Sequence, residues 1–233
     1  MPGDNVTVRV TLGAAAGHGS LEQRVLRLGQ GRCEPRQAPC EDVWYVVGGG
    51  GELRLGGHRG AGWDLEPDMG VLLEPGTTWV VDNPGAEELV IVSVQVPAVR
   101  RPSRPGAPPA VVRLADRPAI PTGDRQFRIM VDPQVGCRGV TQFVGWIPPG
   151  RAPAHSHTYD EVVYVLEGEG LLHLDHGSRP IGAGASVYLP APLPHCLENT
   201  ATTPLKVLGV FHPPGSPASK AAAAEGGGDR GSH

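Results

Sequence analysis

The stretch RAPAHSHTYDEVVYVLEGEG, which begins at Arg151, places His155 and His157 two residues apart and Glu161 four residues after the second. Imidazoles and carboxylates move protons near neutral pH and ligate first-row transition metals. Extended backbone sends alternate side chains to one face. The segment, if extended, throws His155, His157, Tyr159, Glu161, Val163 and Val165 to one side and Val162, Tyr164 and Leu166 to the other. A carboxylate on an interior face costs on the order of several kcal/mol unless it is paired or binds a cation. Two neutral imidazoles bring no fixed positive charge, whereas a divalent cation does. A further ligand is expected from a facing strand, and YLPAPLPHCLEN offers His195 after a proline-rich turn, with Cys196 on the opposite face. Three imidazoles and a carboxylate form a mixed nitrogen and oxygen donor set suited to one divalent transition metal, with Fe(II), Mn, Ni, Co and Zn as the candidates.

The elements that position these residues read as strands. The 233 residues include 34 Gly and 25 Pro with only 19% charged residues, the balance of short strands joined by many turns. Sustained helical periodicity is absent outside the alanine run near Lys220. A net charge of −4 without a basic stripe argues against nucleic acid as a partner. The opening MPGDNVTVRVTLG lacks a basic-then-apolar signal, and no apolar run reaches membrane-spanning length. Cys33, Cys40, Cys137 and Cys196 form no CxxC pair. Free thiols in a cytoplasmic protein without membrane contact are therefore expected.

The chain also repeats itself. DVWYVVGGGGELRL from Asp42 aligns with EVVYVLEGEGLLHL from Glu161, with identities at Val43/Val162, Tyr45/Tyr164, Val46/Val165, Gly49/Gly168, Gly51/Gly170, Leu53/Leu172 and Leu55/Leu174. The same offset pairs Gln23 with Gln142, Val25 with Val144 and Gly31 with Gly150. Three residues fewer separate a later pair of blocks, VLLEPGTTWVVDN from Val71 and VYLPAPLPHCLEN from Val187. Collinear blocks predict two copies of one all-β unit. The expected organisation is a first barrel over residues 1–97, a Pro/Arg-rich connector over 98–124 with a short paired piece around AVVRL, a second barrel over 125–212 and a low-complexity tail over 213–233.

GRAPAHSHTYDEVVYVLEG resembles the first cupin motif, with one residue fewer between Gly150 and His155. GASVYLPAPLPHCLEN resembles the second through Gly184, Pro190, His195 and Asn199, with Pro192 where the family usually has Gly. The chain is thus similar to a bicupin, two tandem double-stranded β-helix (jelly-roll) barrels. The resemblance implies a metal held by His155, His157, Glu161 and His195 in the second barrel. At the corresponding positions the first copy has Arg36, Ala38, Asp42 and Trp79, so that barrel is expected to be metal-free, with Arg36 as an ion-pair partner for Asp42.

Tyr159, on the ligand face, is a candidate proton donor, and Glu161 a candidate base. Gln142, Val144 and Trp146 share one face of the preceding strand; with Val163, Gln142 and Trp146 are the candidate pocket lining. Phe143 and Val165 are further guesses for an apolar wall. His173 is a candidate neighbour of the metal ligands, whereas His176 reads as a surface turn, and His18, His58, His212 and His233 carry no argument. Resemblance to cupin dioxygenases such as quercetinases implies a dioxygenase acting on a small substrate that chelates the metal through an enolate or catecholate oxygen. A metal-dependent isomerase or cyclase and a non-catalytic small-molecule binder are the alternatives. A homodimer is the candidate assembly.

Overall fold

A computed structural model describes residues 4–13, 20–56, 62–101 and 110–218. The tail beyond 218, His18 and His58 lie outside the described residues. The architecture is all-β: among the described residues the helical elements are two three-residue 3-10 turns, Leu114–Asp116 and Pro133–Val135.

Each half folds as a large and a small antiparallel sheet. The first large sheet runs in spatial order through Val6–Leu12, Glu22–Leu28, Leu89–Val96, Glu41–Gly48, Met69–Leu73 and Ala110–Arg113. The second runs through Ile120–Thr122, Arg125–Val131, Thr141–Ile147, Leu205–His212, Asp160–Glu167 and Ser186–Leu189. Five strands in the two orders occupy equivalent repeat positions, which gives the sequence repeat its physical meaning. The smaller sheets are built on Thr78–Asn83 and Cys196–Asn199, the strands carrying Trp79 and following His195. The connector supplies an edge strand to each large sheet, Ala110–Arg113 to the first and Ile120–Thr122 to the second.

The repeat holds at the level of single hydrogen bonds. Asn83 donates from Nδ2 to the carbonyls of Leu28 and Glu87 and accepts from the Gly85 amide. Asn199 does the same with Ile147, Thr203 and Ala201. Both asparagines are buried, and all three bonds leave their amide groups satisfied. Gly49 and Gly168 turn the hairpins with φ of 75° and 87°, where a Cβ is strained.

Four apolar clusters are present among the described residues, one of them the aromatic group Phe127, Phe143, Tyr159 and Phe211. Trp44, Val46, Leu53, Val71 and Ile91 fill the first barrel, and Ile147, Val163, Val165, Leu172 and Leu205 line the second. The opposite faces of the two large sheets share a third: Val43, Tyr45, Val92 and Val94 from the first half pack with Val144, Val162, Leu208 and Val210 from the second. Polar groups cross the same boundary. Glu41 accepts from the Cys137 thiol at 3.0 Å and from the amides of Arg138 and Gly139 at 2.8 and 2.7 Å. Lys206 reaches Asp68 at 2.9 Å. All four cysteines are free and buried.

Candidate metal centre

His155 and His195 are brought together by backbone. They form an isolated bridge, with His155 N donating to the His195 carbonyl at 3.0 Å and the reverse bond at 2.8 Å. Their rings lie 4.6 Å apart, and the His157 ring is 4.8 Å from His155 and 5.5 Å from His195. A ligand atom from each of the three imidazoles falls within 4.8 Å of the others. Glu161 completes the cluster from the next strand, its Oε2 3.7 Å from Nε2 of both His157 and His195. The His195 Nδ1 lies 2.9 Å from the Leu193 carbonyl, which fixes the ring and leaves Nε2 facing the carboxylate. The preceding Ala191–Pro192 peptide is cis, and Pro192 leaves His195 within the cluster.

The electrostatics suit a cation. Burial alone pushes the Glu161 carboxyl from its ordinary 4.5 up to about 8, and burial pushes the His195 imidazole below its ordinary 6.5 against an opposing bond from Leu193. A buried carboxylate in need of positive charge, beside a His195 imidazole whose burial favours the neutral form, fits a divalent ion by donor chemistry.

The raised carboxyl carries a sign that can be checked. Without a cation, folded Glu161 keeps a proton that the unfolded chain has already released, so stability is full below about 4.5 and is lost as pH rises towards 8. Chelated wild-type protein should therefore lose a few kcal/mol relative to chelated Glu161→Gln between pH 5 and 8. Urea denaturation of both proteins at the two pH values measures it; parallel behaviour would mean that Glu161 is ionised and compensated without a cation.

The cluster opens into a cavity of about 100 Å³. Val163, Leu189, Leu197 and Val207 line it together with Phe127, Phe143 and Phe211. Phe143 and Phe211 pack 4.9 Å apart, and Phe211 lies 5.2 Å from the His157 ring. Gly209 makes this wall possible, since a Cβ there would sit 2.2 Å from the Phe143 ring.

Several expected roles change. Gln142 does not line the cavity: it points between the barrels, where Nε2 donates to the Trp44 carbonyl at 3.4 Å. Val144 is likewise part of the shared core, because Phe143, Gly145 and Ile147 occupy the inward positions of that strand. Trp146 borders the cavity while its ring packs against the edge of the shared core, 5.9 Å from the Arg128 guanidinium. Val163 lines the cavity and Val165 lies deeper in the same barrel. Tyr159 stacks on His157 at 4.9 Å and donates its hydroxyl to the Ser216 carbonyl at 2.7 Å. It supports a ring of the cluster and is not a cavity residue. His173 faces outward, bonded to Glu198 and Ser178, both at 2.6 Å. Cys196 turns away from the cluster and donates to the Ala152 carbonyl.

Sequence reasoning missed Arg125, whose side chain also lines the cavity. A charged residue at a strand start, two positions before the inward Phe127, was the available signal.

The first barrel answers the same problem differently. Asp42, equivalent to Glu161, accepts from Arg24 at 2.8 Å, Ser93 at 2.6 Å and Gln95 at 3.0 Å. Arg36 pairs instead with Asp4 and lies over the Trp79 ring. Trp44 and Trp79 meet edge to face at 4.8 Å, filling the space that histidines share in the second barrel. A guanidinium thus stands beside the lone carboxylate.

Two barrels of this topology, one carrying a histidine and carboxylate cluster at its open end, define a cupin of tandem-barrel type. The Cupin domain family model matches residues 143–211. An uncharacterised protein of Methanocaldococcus jannaschii is 34% identical over 102 residues, 42% of this chain and 81% of that protein. The chain belongs to the cupin family. An oxalate-binding protein of Thermotoga maritima is 36% identical over 67 residues, 28% of this chain and 55% of that protein. Among solved structures, a putative glyoxylate-induced protein from Pseudomonas aeruginosa superposes with a TM-score of 0.73 at 20% identity, covering 89% of this chain and 80% of that one. A variant of Bacillus subtilis oxalate decarboxylase gives 0.72 at 14% identity, covering 92% and 75%. At these identities the two structures speak to the fold alone.

Proposed function

We propose that this chain is a metal-dependent cupin enzyme of dioxygenase type, with one divalent transition metal held by His155, His157, Glu161 and His195. The substrate is a small organic molecule offering an enolate or catecholate oxygen. The observation that carries this reading is the convergence of three imidazoles and a buried carboxylate on one small, aromatic-walled cavity. When bound, such a metal supplies Lewis acidity towards a substrate oxygen and, if redox-active, one-electron chemistry. The chain's own residues do the rest. His195 is oriented through Leu193, and His157 packs against Tyr159 and Phe211, whose rings also touch each other at 4.4 Å. Phe127, Phe143 and Phe211 keep water from the space beside the cluster.

A non-oxidative reading, in which the substrate is isomerised or cyclised with Glu161 taking a proton, is favoured by one finding. The named curated relative is an oxalate-binding protein, not an oxygenase by name. Elemental analysis of protein purified without a nickel column should give one metal per chain, and candidate substrates should consume oxygen stoichiometrically. Two metals per chain would overturn the single-site reading, and turnover without oxygen uptake would favour the non-oxidative one.

A further inference from the structure

Arg125 sits at the start of the strand Arg125–Val131 and lines the same cavity as His155, His157, Glu161 and His195. Its side chain is 18% exposed. Nη2 donates to the Leu197 carbonyl at 3.2 Å, so the guanidinium is tied to the strand that follows His195. Nε is buried and makes no hydrogen bond within the described residues. The nearest carboxylate, Asp124, stays 3.8 Å from Nε and is itself 76% exposed, too distant and too hydrated to neutralise the charge. Burial lowers the Arg125 pKa, as it does for a guanidinium kept among apolar walls without a full partner. Around it the lining is Phe127, Ile147 and Leu197, with Thr122 and Gln126 as the neutral polar neighbours.

A planar five-donor fork with one donor satisfied by the Leu197 carbonyl is built to receive a planar acceptor. One guanidinium matches one carboxylate in charge and shape. A cavity of about 100 Å³ is smaller than the ~150 Å³ engineered cavity that accepts benzene, which limits the occupant to a short chain or a small ring.

We propose that Arg125 is the substrate-recognition residue of the site, and that it selects a small carboxylate whose second oxygen function faces the imidazole cluster. This rests on the metal-centre reading above for the second oxygen, but the carboxylate contact stands on Arg125 itself. The substrate class becomes short oxo or hydroxy acids, and neutral enols or catechols of the same size become poor ligands.

Three probes of one skeleton test it: acetoacetate, its neutral counterpart 2,4-pentanedione, and 2-oxopropylphosphonate. Each is titrated calorimetrically into the full-length, metal-loaded protein, with metal content measured on the same samples. Wild type should bind acetoacetate at least about tenfold more tightly than 2,4-pentanedione, the scale of one desolvated charge-assisted pair. Arg125→Gln should abolish that preference while metal content and 2,4-pentanedione affinity stay unchanged. Arg125→Lys, which keeps the charge but loses the fork, should retain part of it and guards against a misfolded Gln variant. Absence of acetoacetate binding to wild type, equal affinity for acetoacetate and 2,4-pentanedione, or a preference that survives Arg125→Gln, would overturn the proposal. Tighter binding of the phosphonate than of acetoacetate would overturn the carboxylate assignment. Protein that takes up no metal yet still prefers acetoacetate through Arg125 would instead sink the metal-centre reading and leave the anion site standing.

Discussion

Replacement of His157 by alanine is expected to release the metal while leaving a folded protein. His157 is buried, its ring packs against the touching pair Tyr159 and Phe211, and its Nε2 faces the Glu161 carboxylate at 3.7 Å. Removing it deletes a donor from the proposed four and loosens the wall behind it. Loss of a group that only orients a ligand weakens metal affinity by roughly 10–100-fold, and loss of a ligand itself should exceed that. The barrel interior is carried by Val163, Val165, Leu172 and Leu205, none of which depends on the imidazole. Metal content of the variant should fall from one per chain towards zero, with a cooperative thermal transition retained. A variant that keeps its metal overturns the ligand assignment; one that loses its transition makes the metal structural.

The second large effect is expected in the first barrel. Asp42 is buried and takes three hydrogen bonds, one from the Arg24 guanidinium, whose side chain is 19% exposed. Asp42→Ala leaves that cation only the Ser93 hydroxyl at 3.0 Å and the more distant Glu22 carboxylate at 3.9 Å, and breaking a buried pair from one side costs about 3–5 kcal/mol. The double variant Arg24→Met/Asp42→Leu removes both charges and should recover most of the loss, because the positions face a barrel filled by Trp44 and Trp79. Urea denaturation of the three proteins measures this. A single-variant loss below about 1 kcal/mol would show that water screens the pair. Metal stoichiometry should be the same in all three.

How legible the molecule was depended on which signal a residue carried. The repeat and the convergence of His155, His157 and Glu161 were readable, although the chain between them is not the continuous strand expected: His155 forms an isolated bridge, residues 158–159 bend, and the strand begins at Asp160. Fold class came from the Gly and Pro content, the internal repeat and the resemblance to the cupin motifs. Gln142 and Val144 were placed on the wrong wall, although the sequence held a clue. Their counterparts Gln23 and Val25 are identical in a barrel without the histidines, so the shared residues serve what both barrels do, which is to face each other. The partner of Asp42 could not be read by proximity in sequence. Arg36 seemed near, but Arg24 arrives from the strand two places away in the sheet, across Leu89–Val96. Tyr159 had the right parity, and what decided its role was the later segment at Ser216 that takes its hydroxyl. Arg125 went unnoticed because a charged residue at a strand start reads as solvent-facing, although it shares parity with the inward Phe127.

The core shared between the two large sheets has a consequence for how the protein responds to dilution. A single barrel that buried the face around Val144, Val162 and Leu208 against another molecule would depend on the concentration of its partner. Here the opposing face is tethered in the same polypeptide, and Glu41 clasps the loop at Cys137 to Gly139 from the other side. The encounter is intramolecular, with an effective concentration set by the connector and not by expression level. The barrel bearing the histidines thus carries its own counterpart wherever it goes, and its integrity is a first-order property of one molecule.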